Sequence, residues 1–268
     1  MAQVVILDFS GVYGRMRFWE HENAVWLDFK NLEGTNCYCD DEAAETITEQ
    51  MRKLGAEGIH FLDSGNYHYA TKLWTDQIRC PFDLLVLDHH TDMQQPAFGG
   101  ILSCGGWLRM ALEENPFLQR VCLIGPSEEM AAEDGLEEFR DRLVFGDEER
   151  MRTGFWRAFL HEGEPGRRRP LYISLDKDIL CAEEAAVNWD QGTAALPEVM
   201  EVLKTAAQAR LVLGADLCGE NPQEMEDGQQ LLRADLLNER LLKMLKGQMG
   251  VKESKEGDKQ HEILRFAD

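Results

Sequence analysis

Short apolar runs alternate with segments of helical period along most of the chain. VVILDFS (4–10), AVWLDF (24–29), IHFLDSG (59–65), DLLVLDHH (83–90), RVCLIGP (120–126), LYISLDKDI (171–179) and RLVLGADLCG (210–219) have strand length, and RLVFG (142–146) is a further candidate. Between them, residues 40–55, 69–79, 105–115, 148–163, 195–209 and 229–247 carry helical patterns. The 40–55 segment is acidic at its start and basic at its end, with Gly55 as its stop, which suits the helix dipole. The apolar runs lack period-2 alternation, so both faces of each strand are buried. Strands of that kind alternating with helices predict an α/β fold with a parallel sheet covered by helices.

No internal repeat or linker divides the pattern, so residues 1–250 are expected to form one domain. The polar stretch VKESKEGDKQHE (251–262) opens a C-terminal tail, 251–268, expected to be mobile. The basic run Arg167–Arg169 is expected to be a solvated loop.

Composition narrows the function. The chain has 268 residues, 44% of them hydrophobic, enough for a large α/β core. The formal net charge is −21, which argues against nucleic acid or an anionic membrane as partner. It is compatible with a small-molecule substrate and with metal ions. No stretch approaches the roughly 18 apolar residues of a membrane span. MAQVVILDFSGVYGR has no basic region ahead of its apolar run, and a cytoplasmic location is expected. The seven cysteines are odd in number, and several lie in strand-like runs; reduced, buried thiols are expected. Cys37-Tyr38-Cys39 is too tight for a zinc knuckle.

Ligands bind at the carboxyl ends of the strands in an open parallel sheet, and there the polar residues of this chain collect. IHFLDSGNYH ends in His68, LLVLDHHTD in Asp88, His90 and Asp92, LYISLDKD in Asp176 and Asp178, and LVLGADLCGE in Asp216 and Glu220. Extended chain turns residues i, i+2 and i+4 the same way, so Asp88, His90 and Asp92 are expected to converge, as are Asp176 and Asp178. A lone strand-end Asp usually caps a turn, and a lone His is usually core or surface. Four Asp and two His gathered at one sheet edge are another matter, because clustered carboxylates do not all stay ionised without a cation. Oxygen and imidazole donors suit Mn2+, and also Fe2+, Co2+ or Zn2+. Six ligands exceed what one tetrahedral ion needs and fit two divalent ions bridged by carboxylates, an arrangement that ionises water.

LDHHTD matches the Asp-Ala-His-x-Asp signature of the ureohydrolase superfamily of arginases, agmatinases and formimidoylglutamases, and SLDKDIL matches its Ser-x-Asp-x-Asp. GNYH stands at its Gly-Gly-Asp-His, and ADLCGENP resembles its Asp-hydrophobic-x-Glu-x-Asn-Pro. The motifs keep the family's order over residues 1–245. The resemblance implies a three-layer arginase-like fold with a central sheet of about eight strands. It implies one ion on His68, Asp88, Asp92 and Asp176, and another on Asp88, His90, Asp176 and Asp178, with Asp88 and Asp176 bridging. Asp92 and Asp178 would also serve catalysis, and a metal-bridging hydroxide would attack the substrate. Relatives are often oligomers, so a homo-oligomer is expected.

Four departures bear on substrate. Tyr67 replaces the family's Asp. The family's shuttle His is missing, and ILSCGGWL offers only Ser103 and Cys104 in its region. Gly219 stands where the family's guanidinium-binding Glu is expected, with Glu220 displaced by one. The loop CAEEAAVNWDQGTAALPE carries Trp189, Asp190 and Gln191 toward the site. Glu220, Asp190, Gln191 and Cys104 are the substrate-binding candidates. The expected activity is hydrolysis of a C–N bond in a small amidine, guanidine or amide, not arginase itself. The alternatives are a non-catalytic metal-binding relative and a mononuclear zinc deacetylase-like hydrolase. The latter lacks support, because apart from His89-His90 of the LDHHTD motif no His–His pair is present to serve as an acid–base dyad.

Overall fold

The computed structural model describes residues 2–96, 99–223 and 226–249, so the expected tail lies outside the described residues. The buried strand β1 (Val4–Asp8) is followed by β2 (Val25–Asp28) and the two-residue β3 (Tyr38–Cys39). Helix α1 (Asp41–Arg52) follows the polarity read in the sequence. The Asp40 side chain accepts from the Ala43 N–H at 2.9 Å, Asp41 and Glu42 fill the first turn, and Arg52 sits in the last, all favourable to the helix dipole. Ala43, Ile47 and Met51, four apart, form its buried face.

Next come β4 (Gly58–Phe61), α2 (Ala70–Thr75), β5 (Phe82–Leu87), β6 (Leu102–Ser103), α3 (Trp107–Glu114), β7 (Leu118–Gly125), α4 (Glu128–Glu133) and β8 (Leu143–Asp147). The helix expected over 148–163 is two helices, α5 (Glu148–Thr153) and α6 (Trp156–His161). Gly154 takes a left-handed φ of 81° between them and ends the first. The chain continues through β9 (Leu171–Asp176), α7 (Leu196–Ala209), β10 (Val212–Cys218) and α8 (Gly228–Met249). The strand expected over 171–179 stops at Asp176, where Lys177–Ile179 turn as a short 3-10 segment.

Eight strands form one sheet in the order β2-β1-β4-β10-β9-β5-β7-β8, and every neighbouring pair is parallel. β3 and β6 form a separate antiparallel pair, too short to show a period in the sequence. On β5, Leu84 and Val86 pack with Trp74 of α2 and Trp107 of α3 on one face. Leu85 and Leu87 pack with Val199 of α7 and Leu241 of α8 on the other. Each such side chain, fully buried, contributes roughly 2 kcal/mol. This is the three-layer arrangement expected from the unalternated runs. No helix among the described residues is long and apolar enough to cross a membrane.

At the foot of the sheet the Asp83 carboxylate is buried at the start of β5. Its Oδ2 accepts from both Nη atoms of Arg210 at 3.0 Å, and its Oδ1 accepts from Arg169 Nε at 2.7 Å. Arg210 also donates to the carbonyls of Leu160 and Phe159, so the forked cation is satisfied out of water. At the opposite edge, the adjacent strands β4, β10, β9 and β5 deliver the polar residues singled out in the sequence.

Candidate metal centre

The Asp88 N–H donates to the Ile124 carbonyl at 3.0 Å and extends the β5–β7 ladder by one residue. Gly125, at φ 128°, ends β7 beside it, and a Cβ there would lie 2.0 Å from the Asp88 carbonyl oxygen. Beyond Asp88 the chain turns away from extended geometry. The His90 N–H folds back onto Asp88 Oδ1 at 2.7 Å, and Asp92 takes a left-handed φ of 51°. The Asp92 carbonyl accepts from the Leu108 N–H at the start of α3. Asp88, His90 and Asp92 therefore converge through a tight turn docked on a helix, a correction to the alternation expected from extended chain. The same holds at β9, where the Asp178 N–H donates to Asp176 Oδ1 at 3.0 Å inside the 3-10 turn.

The structure brings all six expected ligands together. His68 Nδ1 lies 3.1 Å from Asp88 Oδ2, 2.9 Å from Asp92 Oδ2 and 3.7 Å from Asp176 Oδ2. His90 Nδ1 lies 2.8 Å from Asp178 Oδ2 and 3.7 Å from Asp88 Oδ1. Asp88 thus belongs to both halves of the cluster. Three overlapping groups have donor atoms mutually within 4.8 Å: His68, Asp88 and Asp92; Asp88, His90 and Asp178; and His68, Asp176 and Cys218. All of these residues are buried except the half-buried His90.

The electrostatics fit a cation. Burial, then Asp178 and Asp88, push the Asp176 carboxyl up to about 7. Burial and Asp88 push Asp178 up to about 6. Burial opposes charge on His90, but Asp178 and Asp88 outweigh it and carry the ring up to about 11. Burial likewise opposes charge on His68, yet Cys218, Asp88 and Asp92 hold it well above its usual value. Left to itself, the cluster retains protons to relieve its own repulsion, the condition that a divalent cation removes. Asp88 Oδ2 is buried, and its contact with His68 Nδ1 at 3.1 Å falls short of hydrogen-bond geometry, which leaves both groups free to face a cation. Hard oxygen atoms with imidazole complete the match to divalent metal.

The surrounding residues orient the donors. His68 Nε2 contacts Ser174 Oγ at 2.8 Å, and Ser174 donates to Asp216 Oδ1 at 2.6 Å. Asp216 thus stands behind the cluster and steadies His68 through Ser174, as outer partners of metal-binding His do. Trp107 Nε1 donates to Asp92 Oδ2 at 2.5 Å, and the His89 N–H donates to Asp178 Oδ1 at 2.9 Å. The His89 ring turns to Glu148 Oε1, 3.6 Å away.

The expected substrate residues fare differently. Gly219 faces the cluster, and a Cβ there would lie 2.5 Å from Asp176 Oδ1 at a φ of +95°. Glu220 turns the other way, correcting its expected role: its buried Oε1 pairs with Lys177 Nζ and accepts from Asn238 Nδ2 of α8 at 2.6 Å. Gln191 donates to the Ala185 carbonyl within its own loop, and Asp190 is exposed; neither bonds to the cluster. Cys104 is buried, its N–H bonded to the Cys37 carbonyl at 2.8 Å. Burial and then Asp92 push its thiol up. Tyr67, at the family's Asp position, stacks on Phe9 with ring centroids 4.1 Å apart, as a core residue.

Asn66 and Cys218 were missed. Asn66 Oδ1 accepts from Trp189 Nε1 at 2.8 Å and from Asn188 Nδ2 at 2.9 Å. The Trp189 ring stands edge-on to His90, 5.8 Å away, so this pair forms the rim above the cluster. The place of Asn66 inside GNYH, two residues before His68, was the available signal.

The model of the Arginase family matches residues 11–242. An uncharacterised protein of Thermotoga maritima is 30% identical over 228 residues, covering 82% of this chain and 80% of its own. Among solved structures, the proclavaminate amidino hydrolase of Streptomyces clavuligerus superposes with a TM-score of 0.69 at 16% identity, covering 93% of each chain. The formimidoylglutamase of Bacillus subtilis gives 0.65 at 15% identity, over 91% of this chain and 87% of its own. The agmatine ureohydrolase of Thermoplasma volcanium gives 0.63 at 18%, over 95% and 92%. These likenesses show the fold, and the family match covers nearly all of the sheet and every expected metal ligand: this chain belongs to the arginase family, within the ureohydrolase superfamily.

Proposed function

We propose that the chain is a metal-dependent hydrolase that cleaves a C–N bond in a small non-peptide amidine, guanidine or amide. The observation that carries this reading is Asp88. It is a buried carboxylate shared by two donor groups, one through His68 and Asp92 and the other through His90 and Asp178. The solved neighbours support the bond type by their names, an amidino hydrolase and an agmatine ureohydrolase among them. His68, Asp88, Asp92 and Asp176 would hold one divalent ion, and Asp88, His90, Asp176 and Asp178 the other. Mn2+ suits these donors, with Fe2+, Co2+ and Zn2+ as alternatives. Such ions supply Lewis acidity, which lowers the cost of drawing a proton from water at neutral pH.

The side chains divide the remaining work. Asp92, held by the Trp107 indole, and Asp178, held by the His89 amide, are the acids positioned to accept that proton. Trp189 and Asn66 offer an aromatic edge and an amide to a flat C–N group at the rim. No carboxylate faces the substrate at position 219, and Glu220 is neutralised by Lys177. The site therefore suits a substrate other than a free guanidinium.

A panel of amidino, guanidino and acylamino compounds assayed with Mn2+-loaded protein tests the reading. The expected result is two ions per chain and turnover of at least one compound, abolished by Asp88→Asn. Full metal loading with no turnover across the panel would favour a non-catalytic relative.

A further inference from the structure

Among the described residues, Cys218 brings a donor of different chemistry to the cluster. It is the last residue of β10 and is fully buried. Its Sγ lies 3.0 Å from Asp176 Oδ2 and shares a 4.8 Å donor group with His68 and Asp176. Asp216, two residues earlier, steadies His68 through Ser174. Period-2 alternation along β10 turns Cys218 to that same face, one step closer to the ligands. A thiol serving only as core packing has no need to meet a carboxylate. Here the sulfur meets the oxygen that itself lies 3.7 Å from His68 Nδ1.

We propose that Cys218 is a seventh ligand, a thiolate donor to the ion held by His68 and Asp176. The proposal rests on the reading of the cluster as a metal centre. The S–H proton passes to solvent as the sulfur–metal bond forms. The two halves of the centre then differ in kind. The Asp88, His90 and Asp178 group holds only oxygen and nitrogen and suits Mn2+. The His68, Asp176 and Cys218 group adds soft sulfur and suits Zn2+, Co2+ or Fe2+ ahead of Mn2+. Offered Mn2+ and Zn2+ together, the His68, Asp176 and Cys218 site should favour Zn2+ over Mn2+ more strongly than the oxygen-and-nitrogen site does.

Metal-free full-length protein titrated with Co2+ tests this, read by bound cobalt and by near-ultraviolet absorption. The wild type should develop a sulfur-to-cobalt charge-transfer band that saturates at one equivalent. Cys218→Ser and Cys218→Ala should bind cobalt without the band, and Cys104→Ser should keep it. In Zn2+/Mn2+ competition, Cys218→Ser should lower the preference of that one site for Zn2+ over Mn2+ by on the order of tenfold, a scale that even outer-shell partners command. Cobalt bound by the wild type without a band, or a band that survives both Cys218 changes, would overturn the thiolate assignment alone. Absence of bound cobalt in the wild type would overturn the metal-centre reading beneath it.

Discussion

Asp88 reaches both halves of the cluster, with Oδ2 toward His68 and Oδ1 accepting the His90 amide. Asp88→Asn and Asp176→Asn should each lose both ions, whereas His68→Ala should lose mainly one. Elemental analysis of the three purified variants checks this, and undiminished metal in all of them would refute the assignment. At position 219, absence of a carboxylate predicts poor turnover of L-arginine and agmatine, and absence of a shuttle His removes help typically worth about 10²–10⁴-fold. Urea released from either at a kcat on the order of 10 s−1 or more, with Mn2+ loaded, would contradict it. Residue type and strand-end position made the gathering of the six candidate ligands legible in the sequence. The turn that unites them was not, because the left-handed Asp92 is fixed by its carbonyl's bond to α3, a contact between segments. Glu220 misled for a similar reason: its partners, Lys177 and Asn238, come from β9's end and α8.

At the scale of elements, β7 and β5 meet so closely at their carboxyl ends that only glycine fits at 125. Gly125→Ala combines a positive φ with a methyl 2.0 Å from the Asp88 carbonyl oxygen, and neither backbone can yield. It should destabilise by about 2–4 kcal/mol and weaken metal binding, both readable from melting curves with and without Mn2+. Equal melting of variant and wild type would count against this packing. β4 and α2 are joined by the His60 ring, stacked 3.9 Å from Trp74 with Nδ1 2.9 Å from the Tyr172 hydroxyl. Burial pulls this imidazole down to about 3. Its folded pKa lies below the unfolded value of roughly 6.5, so the unfolded chain binds the proton first. Stability from neutral His60 is therefore full above that value and is lost as pH falls toward 3. Urea unfolding of metal-free protein should show a flatter acid limb for His60→Gln than for wild type. An identical limb would rule out the buried neutral ring as its source, since the acids of the cluster are common to both proteins. Strand and helix types were legible from unalternated apolar runs and end-charge polarity. The break at Gly154 was not, because its flanks keep a helical pattern and one backbone angle decides it.

For the molecule as a whole, the site is a concentration of like charge inside a chain whose net charge is already −21. Binding cations to the folded state alone should stabilise it by about 4 kcal/mol at a thousandfold excess over Kd. Chelation should therefore lower the melting temperature of metal-loaded protein clearly, and a melting curve indifferent to EDTA would mean that the fold does not depend on metal bound at these acids. The ion pair at the foot of the sheet bears on the same site from the far end of β5. Asp83 is tethered to Arg210 and Arg169, and five residues later the same strand presents Asp88. A strand that slipped by one residue would shift Asp88 by about 3.3 Å and turn it to the opposite face. The Asp83 tether works as the zero mark of a gauge: it fixes the height at which the carboxylate is read out at the other end.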